Sequence, residues 1–153
     1  KTTLLKILSG IEAPDSGFVT PAKWPETTIV FQNLFLWPHL TVRQNIELPT
    51  NQKADAIAEK MQINDFLHKY PAEISGGQKQ MAALARAISL KPKFLLLDEV
   101  TANLDMEYME IIVNLLKELH ANKTGIIIVS HLPAFIAALP DVKLMPLAPL
   151  PSH

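Results

Sequence analysis

Short β-branched or leucine-rich runs alternate along this chain with longer stretches in which apolar residues recur every three or four positions. Thr27 to Phe31, Phe94 to Leu97 and Gly125 to Val129 are the short runs, and they predict buried strands. Gln78 to Leu90 puts Met81, Leu84, Ala85 and Ile88 on one helical face. Met106 to Ala121 does the same with Ile111, Ile112, Leu115, Leu116 and Leu119. Lys1 to Leu8 has helical spacing and stops at Gly10, a C-cap. Pro14-Asp15-Ser16-Gly17 predicts a turn. Short helices are expected over Lys53 to Met61, Asp65 to Tyr70 and Leu132 to Leu139, and a last strand over Val142 to Met145.

Strands alternating with helices imply an α/β fold with a parallel sheet. The polar, helix-rich middle, about 41–90, reads as a small helical insertion on a core of about 1–40 and 91–145. A proline-rich tail, 146–153, is expected to leave the fold irregularly. The 153 residues suffice for one domain with a real core, and 48% apolar content excludes a disordered chain. A net charge of −1 argues against a general attraction to nucleic acid. The absence of cysteine excludes disulfides, thiolate-held zinc and a cysteine nucleophile. Lys1 opens directly into a helical pattern without a signal-peptide run, and Gly125 to Leu139 is too short and interrupted to span a bilayer. The chain is therefore expected to be soluble, with any membrane role peripheral.

Chemistry concentrates where the predicted strands and helices end. Ser75-Gly76-Gly77-Gln78 sits ahead of a helix expected to begin near Gln78. Ser75 can cap it, the glycines admit a close ligand, and the free N–H groups with the helix dipole favour an anion. An ordinary capped turn is the alternative. Asp98-Glu99 closes a buried run, where carboxylates are poorly explained by packing because their desolvation is costly. Gln32 ends the first strand and is either a solvated turn residue or a phosphate sensor. Ser130-His131 follows the third strand, on the sheet edge where parallel strands place ligands. Asp105 stands where a helix N-cap belongs. Phe35-Leu36-Trp37-Pro38 either caps the insertion or offers a partner an apolar surface.

In this order and approximate spacing, these residues resemble the ATP-binding cassette (ABC) ATPases, the nucleotide-binding domains of ABC transporters. Lys1-Thr2-Thr3 matches the end of Walker A, Gln32 the Q-loop and Ile74 to Gln78 the signature. Phe94 to Glu99 matches Walker B with its glutamate, Ala102-Asn103-Leu104-Asp105 the D-loop, and His131 the switch histidine. The resemblance implies a P-loop NTPase-like fold and hydrolysis of ATP with Mg²⁺. Glu99, His131 and Gln32 would be catalytic, and Thr2, Gln32 and Asp98 would serve the metal. Lys1, Thr2, Thr3, Ser75, Gly76, Gly77, Gln78 and Asp105 would bind nucleotide. The implied partners are a second nucleotide-binding domain, head to tail, and membrane permease subunits, at the cytoplasmic face of a bacterial inner membrane.

The resemblance has departures. The glycine-rich loop and its strand are not among these residues, so the domain reads as incomplete at its N-terminus and weak or no ATP binding is expected of this chain alone. Met81 stands where an arginine is usual and Val100 where proline is frequent. A soluble ABC-type ATPase of DNA repair or translation is an alternative; Gln78 and the run from Phe35 to Ile46 favour the transporter type. A truncated, non-catalytic cassette is another.

Overall fold

The computed structural model describes residues 1–20, 26–101 and 104–145. Three parallel strands form its sheet: β1 (Thr27–Val30), β2 (Phe94–Asp98) and β3 (Gly125–Val129), in that spatial order. The helices are α1 (Thr2–Leu8), α2 (Val42–Glu47), α3 (Asp55–Met61), α4 (Gly76–Ser89), α5 (Met106–Ala121) and α6 (Pro133–Ala137). Two 3₁₀ turns, Asn64–Phe66 and Pro71–Glu73, lie between α3 and α4.

The central position of β2 follows from its composition. A run of leucines has no polar face to offer water, and Leu95, Leu96 and Leu97 are all buried. The register pairs Val30 with Leu97 and Asp98 with Val129. All three strands therefore end on one edge of the sheet, and the residues just beyond them share that edge. Helix α1 lies against β2, with Leu5 fully buried. Helix α4 packs on α2, α3 and β1. One continuous apolar cluster joins Val42, Ile46 and Met61 of the middle segment to Leu95, Leu97 and Ile112.

The strands and α5 form where the apolar rhythm predicts them, but several helix boundaries differ. Helix α4 starts at Gly76, not Gln78, because Ser75 and Gln78 close a capping box. The two glycines thus occupy the first turn, whose N–H groups need no helical acceptor. Helix α2, not anticipated, is nucleated by a second capping box between Thr41 and Gln44. Helix α3 begins at Asp55 rather than Lys53, and the backbone N–H of Ala54 donates to Glu47 of α2 at 2.9 Å. The helix expected over 65–70 is only the 3₁₀ turn Asn64–Phe66, and the one expected over 132–139 shortens to α6. No strand forms at Val142 to Met145, where Val142, Leu144 and Met145 are exposed and lack a sheet neighbour. The tail 146–153 and two D-loop positions, Ala102 and Asn103, lie outside the described residues.

Candidate functional site

Five of the predicted site residues converge at the carboxyl ends of β2 and β3. The Thr2 hydroxyl, in the first turn of α1, donates to Asp98 Oδ2 at 2.7 Å. Asp98 is the last residue of β2 and only 3% exposed. Glu99 leaves the strand with a left-handed φ of 52°, uncommon for a residue with a side chain and worth about 1 kcal/mol of strain. Its N–H is held by the Val129 carbonyl at 2.9 Å. That turn directs the two adjacent carboxylates to different neighbours. Asp98 meets Thr2, whereas Glu99 Oε1 lies 3.2 Å from Nε2 of His131. The same His131 nitrogen is 3.4 Å from the Lys1 ammonium. Lys1, Thr2, Asp98, Glu99 and His131 thus form one polar cluster drawn from a helix start and two strand ends.

Two hydroxyls hold the loops that carry these groups. Ser130 Oγ accepts from the Leu132 N–H at 3.1 Å and lies 3.3 Å from Thr101 Oγ1. The loop after β2 is thereby tied to the loop after β3, next to His131. Thr101 was not foreseen as a site residue; an isolated threonine after two carboxylates has no distinguishing local signal.

The remaining predicted residues stand apart. Among the described residues, no hydrogen bond or ion pair joins Gln32, Thr3, Ser75–Gln78 or Asp105 to the Lys1–Asp98–His131 cluster. Gln32 is exposed just past β1, and Thr3 is exposed in α1. Ser75 Oγ accepts from the Gln78 N–H at 3.2 Å, and Gln78 Oε1 accepts from the Ser75 N–H at 3.0 Å. Ser75 and Gly76 face solvent, whereas Gly77 is buried and the Gln78 N–H is taken by the cap. Gln78 also reaches Tyr108 of α5, whose phenol is pushed above its usual range by burial, an effect that this hydrogen bond opposes. Asp105 caps α5 by accepting from the Tyr108 N–H at 2.9 Å.

A second feature lies beside β1. An apolar groove of about 400 Å³ is lined by Phe31, Leu34, Phe35, Trp37 and Ala83, with Arg86 as its cation. Phe35 is 67% exposed at its rim and meets Phe31 edge to face at 5.7 Å. Arg86 Nη2 and Nη1 donate to the carbonyls of Leu34 and Phe35, each at 2.8 Å. Fully buried Asn45 of α2 accepts from the Trp37 N–H and donates to the carbonyls of Trp37, Leu40 and Thr41. Phe35-Leu36-Trp37-Pro38 is thus both clamped from beneath and open above. Arg86 and Asn45 were missed, although a lone arginine within the apolar stripe of α4 was a visible signal.

Parallel strands ending in a hydroxyl–carboxylate pair, with a lysine and a capped glycine turn, define a nucleotide-handling α/β domain. The ABC transporter family matches residues 1–102, and the chain belongs to it. The chain is 41% identical over 139 residues to a probable sulfate/thiosulfate import ATP-binding protein CysA of Chlorella vulgaris, covering 78% of this chain and 59% of that protein. It is 41% identical over 142 residues to the spermidine/putrescine import ATP-binding protein PotA of Chromobacterium violaceum, covering 77% and 39%. It is 35% identical over 159 residues to the arginine transport ATP-binding protein ArtP of Escherichia coli K12, covering 86% and 66%. The chain therefore spans between about two fifths and two thirds of these relatives' lengths. Its fold is that of the ATP-binding cassette MJ0796, solved as a dimer in a post-hydrolysis state with ADP and Pi. The TM-score is 0.77 at 25% identity, covering 88% of this chain and 71% of that one.

Proposed function

We propose that this protein is the ATP-hydrolysing subunit of an ABC transporter, driving transport through a membrane permease. The observation that carries the reading is the cluster at the ends of β2 and β3, where Thr2 binds Asp98 and His131 bridges Lys1 and Glu99. Lys1 would meet the terminal phosphates of ATP, with Thr3 on the next phosphate back. The hard oxygens of Thr2 and Asp98, 2.7 Å apart, would suit Mg²⁺, with Gln32 proposed as a further oxygen donor; the ion would supply charge neutralisation at the phosphates when bound. Glu99 would orient a water and take its proton, and His131, 3.2 Å away, would steady Glu99 and the developing phosphate charge.

Ser75, Gly76 and Gly77 lie outside that cluster, which supports a head-to-tail dimer in which they face the nucleotide of a second copy or a related domain, with Asp105 nearby. Residues 41–90 would form the helical arm that carries them. The groove at Phe35 and Trp37 would receive the permease, placing the protein at the cytoplasmic face of a bacterial inner membrane. The relatives are named for sulfate or thiosulfate, polyamines and arginine, so the solute is assigned to the permease rather than to this chain.

Glu99→Gln tests the reading in the native protein purified from its own cells. Phosphate release should fall by about 10²-fold or more while ATP binding, read by equilibrium dialysis, persists. Undiminished hydrolysis would remove Glu99 from the proton-transfer role.

A further inference from the structure

The pairing of β2 with β3 ends at Asp98 and Val129, just short of Glu99 and His131. Beyond that point packing does little to hold the histidine. Its side chain is 67% exposed, against 32% for Glu99. The two loops that carry these groups are unequally anchored. Val100, next to Glu99, is fully buried, so the loop after β2 stands on the core. In the loop after β3, no residue from Ser130 to Ala134 is buried, and the chain returns to the core only at Phe135. Hydrogen bonds must therefore place the second loop against the first. The Glu99 N–H donates to the Val129 carbonyl at 2.9 Å. The Ser130 hydroxyl oxygen accepts from the Leu132 N–H at 3.1 Å, closing a tight turn around His131. Thr101 Oγ1, two residues beyond Glu99, lies 3.3 Å from that same Ser130 oxygen. A hydroxyl has one O–H and two lone pairs, so Ser130 can accept from Leu132 and still bond to Thr101. The separation exceeds the roughly 2.8 Å typical of two hydroxyls, so the tie is a modest one. Among the described residues it is the one side-chain hydrogen bond that joins the two loops.

We propose that Thr101 is a positioning residue for hydrolysis: through Ser130 it sets where His131 stands against Glu99. This rests on the reading of Glu99 and His131 as the groups that act on the attacking water, and adds the residue that brings the second to the first. The anchored loop carries Glu99 and Thr101, and the other carries Ser130 and His131. Removing the Thr101 hydroxyl leaves Glu99 in place, because its N–H bond to Val129 and the burial of Val100 are untouched. It releases Ser130, and with it the turn that aims the His131 ring. Lys1, Thr2 and Asp98 make no hydrogen bond to Thr101, so the effect falls on turnover and not on ATP affinity.

Thr101→Val removes the hydroxyl at nearly constant shape, and Thr101→Ser keeps it. The first readout is the histidine ring signals of the full chain by NMR without nucleotide, with His131 assigned by the signal that His131→Ala loses. That signal should shift in Thr101→Val and stay in Thr101→Ser, while the other four histidines hold their positions. The second readout is ATP hydrolysis by the native protein carrying each change. Thr101→Val should lower kcat about five- to tenfold with KM for ATP unchanged, and Thr101→Ser should restore it. In a His131→Ala background, Thr101→Val should cost nothing further, because the group it positions is gone. Should Thr101→Val not fold, Thr101→Ala compared with Thr101→Ser isolates the same hydroxyl. An unmoved His131 signal, an unchanged kcat, or a loss that persists in the His131→Ala background would overturn the role of Thr101 and leave the roles of Glu99 and His131 standing. Undiminished hydrolysis by Glu99→Gln would instead remove the reading on which the inference rests.

Discussion

Asp98 and Glu99 are adjacent in sequence and opposite in circumstance. Strand geometry keeps Asp98 buried against Thr2, while the left-handed turn at Glu99 swings the next carboxylate towards His131. In the proposed function one carboxylate would serve binding and its neighbour proton transfer, a division made by a single backbone angle. Asn45 shows the same economy in a structural role. Its carbonyl accepts from the Trp37 N–H, and its two N–H groups are shared among the carbonyls of Trp37, Leu40 and Thr41. Asn45→Ala should cost roughly 1–2 kcal/mol, because it removes the side-chain partner of the part-buried Trp37 N–H and Leu40 carbonyl, while the Trp37 and Thr41 carbonyls keep backbone donors. A urea midpoint and a red shift of Trp37 emission measure it; a stable variant with an unchanged emission maximum would contradict this account of the loop.

At the scale of elements, α4 is the piece that reaches every region. Its capped start presents the glycines, Gln78 meets Tyr108 of α5, and Arg86 holds the loop after β1. The helix also carries a cost, since the buried Gln80 amide nitrogen has no hydrogen-bond partner among the described residues. An orphaned buried donor is unfavourable by about 1–3 kcal/mol, so Gln80→Met, similar in volume and apolar, should raise the urea midpoint. A lowered midpoint would show that Gln80 has a partner in solution. The elements were legible to unequal degrees. Strands β1, β2 and β3 and helix α5 follow from apolar rhythm because each buries a face dictated by its own residues. Helix α2 is too short for a periodic signal, and the start of α4 was misread because glycine is unfavourable in helix interiors, a penalty that matters little in the first turn.

For the molecule as a whole, the apolar cluster runs without a break from the sheet into the middle segment. Unfolding should therefore be one cooperative event, with far-UV circular dichroism and tryptophan fluorescence giving coincident urea curves. Separated transitions would mean that the middle segment is an independent unit. Outside the core, Lys60 of α3 pairs with Glu118 of α5, a half-exposed contact linking the middle segment to the long helix. A double-mutant cycle through Lys60→Met and Glu118→Gln should return a coupling of about 0.5 kcal/mol or less, fading as salt is raised. A coupling of several kcal/mol would make this pair a structural latch instead of a surface contact.

The sequence by itself determined the class of the chain and the polar groups of its candidate site. Apolar rhythm is a local property, and so are a capped glycine turn and carboxylates closing a buried strand; each is written within a few neighbouring residues. Tertiary structure alone decided which of those groups act together. Lys1 reaches His131 and Thr2 reaches Asp98 across most of the chain, through parallel pairing that no local window contains. It also decided that Arg86 lies against an apolar groove and, among the described residues, pairs with loop carbonyls and no carboxylate. Local patterns select which surfaces must be buried; only the packed chain settles which polar groups meet once those surfaces are gone from water.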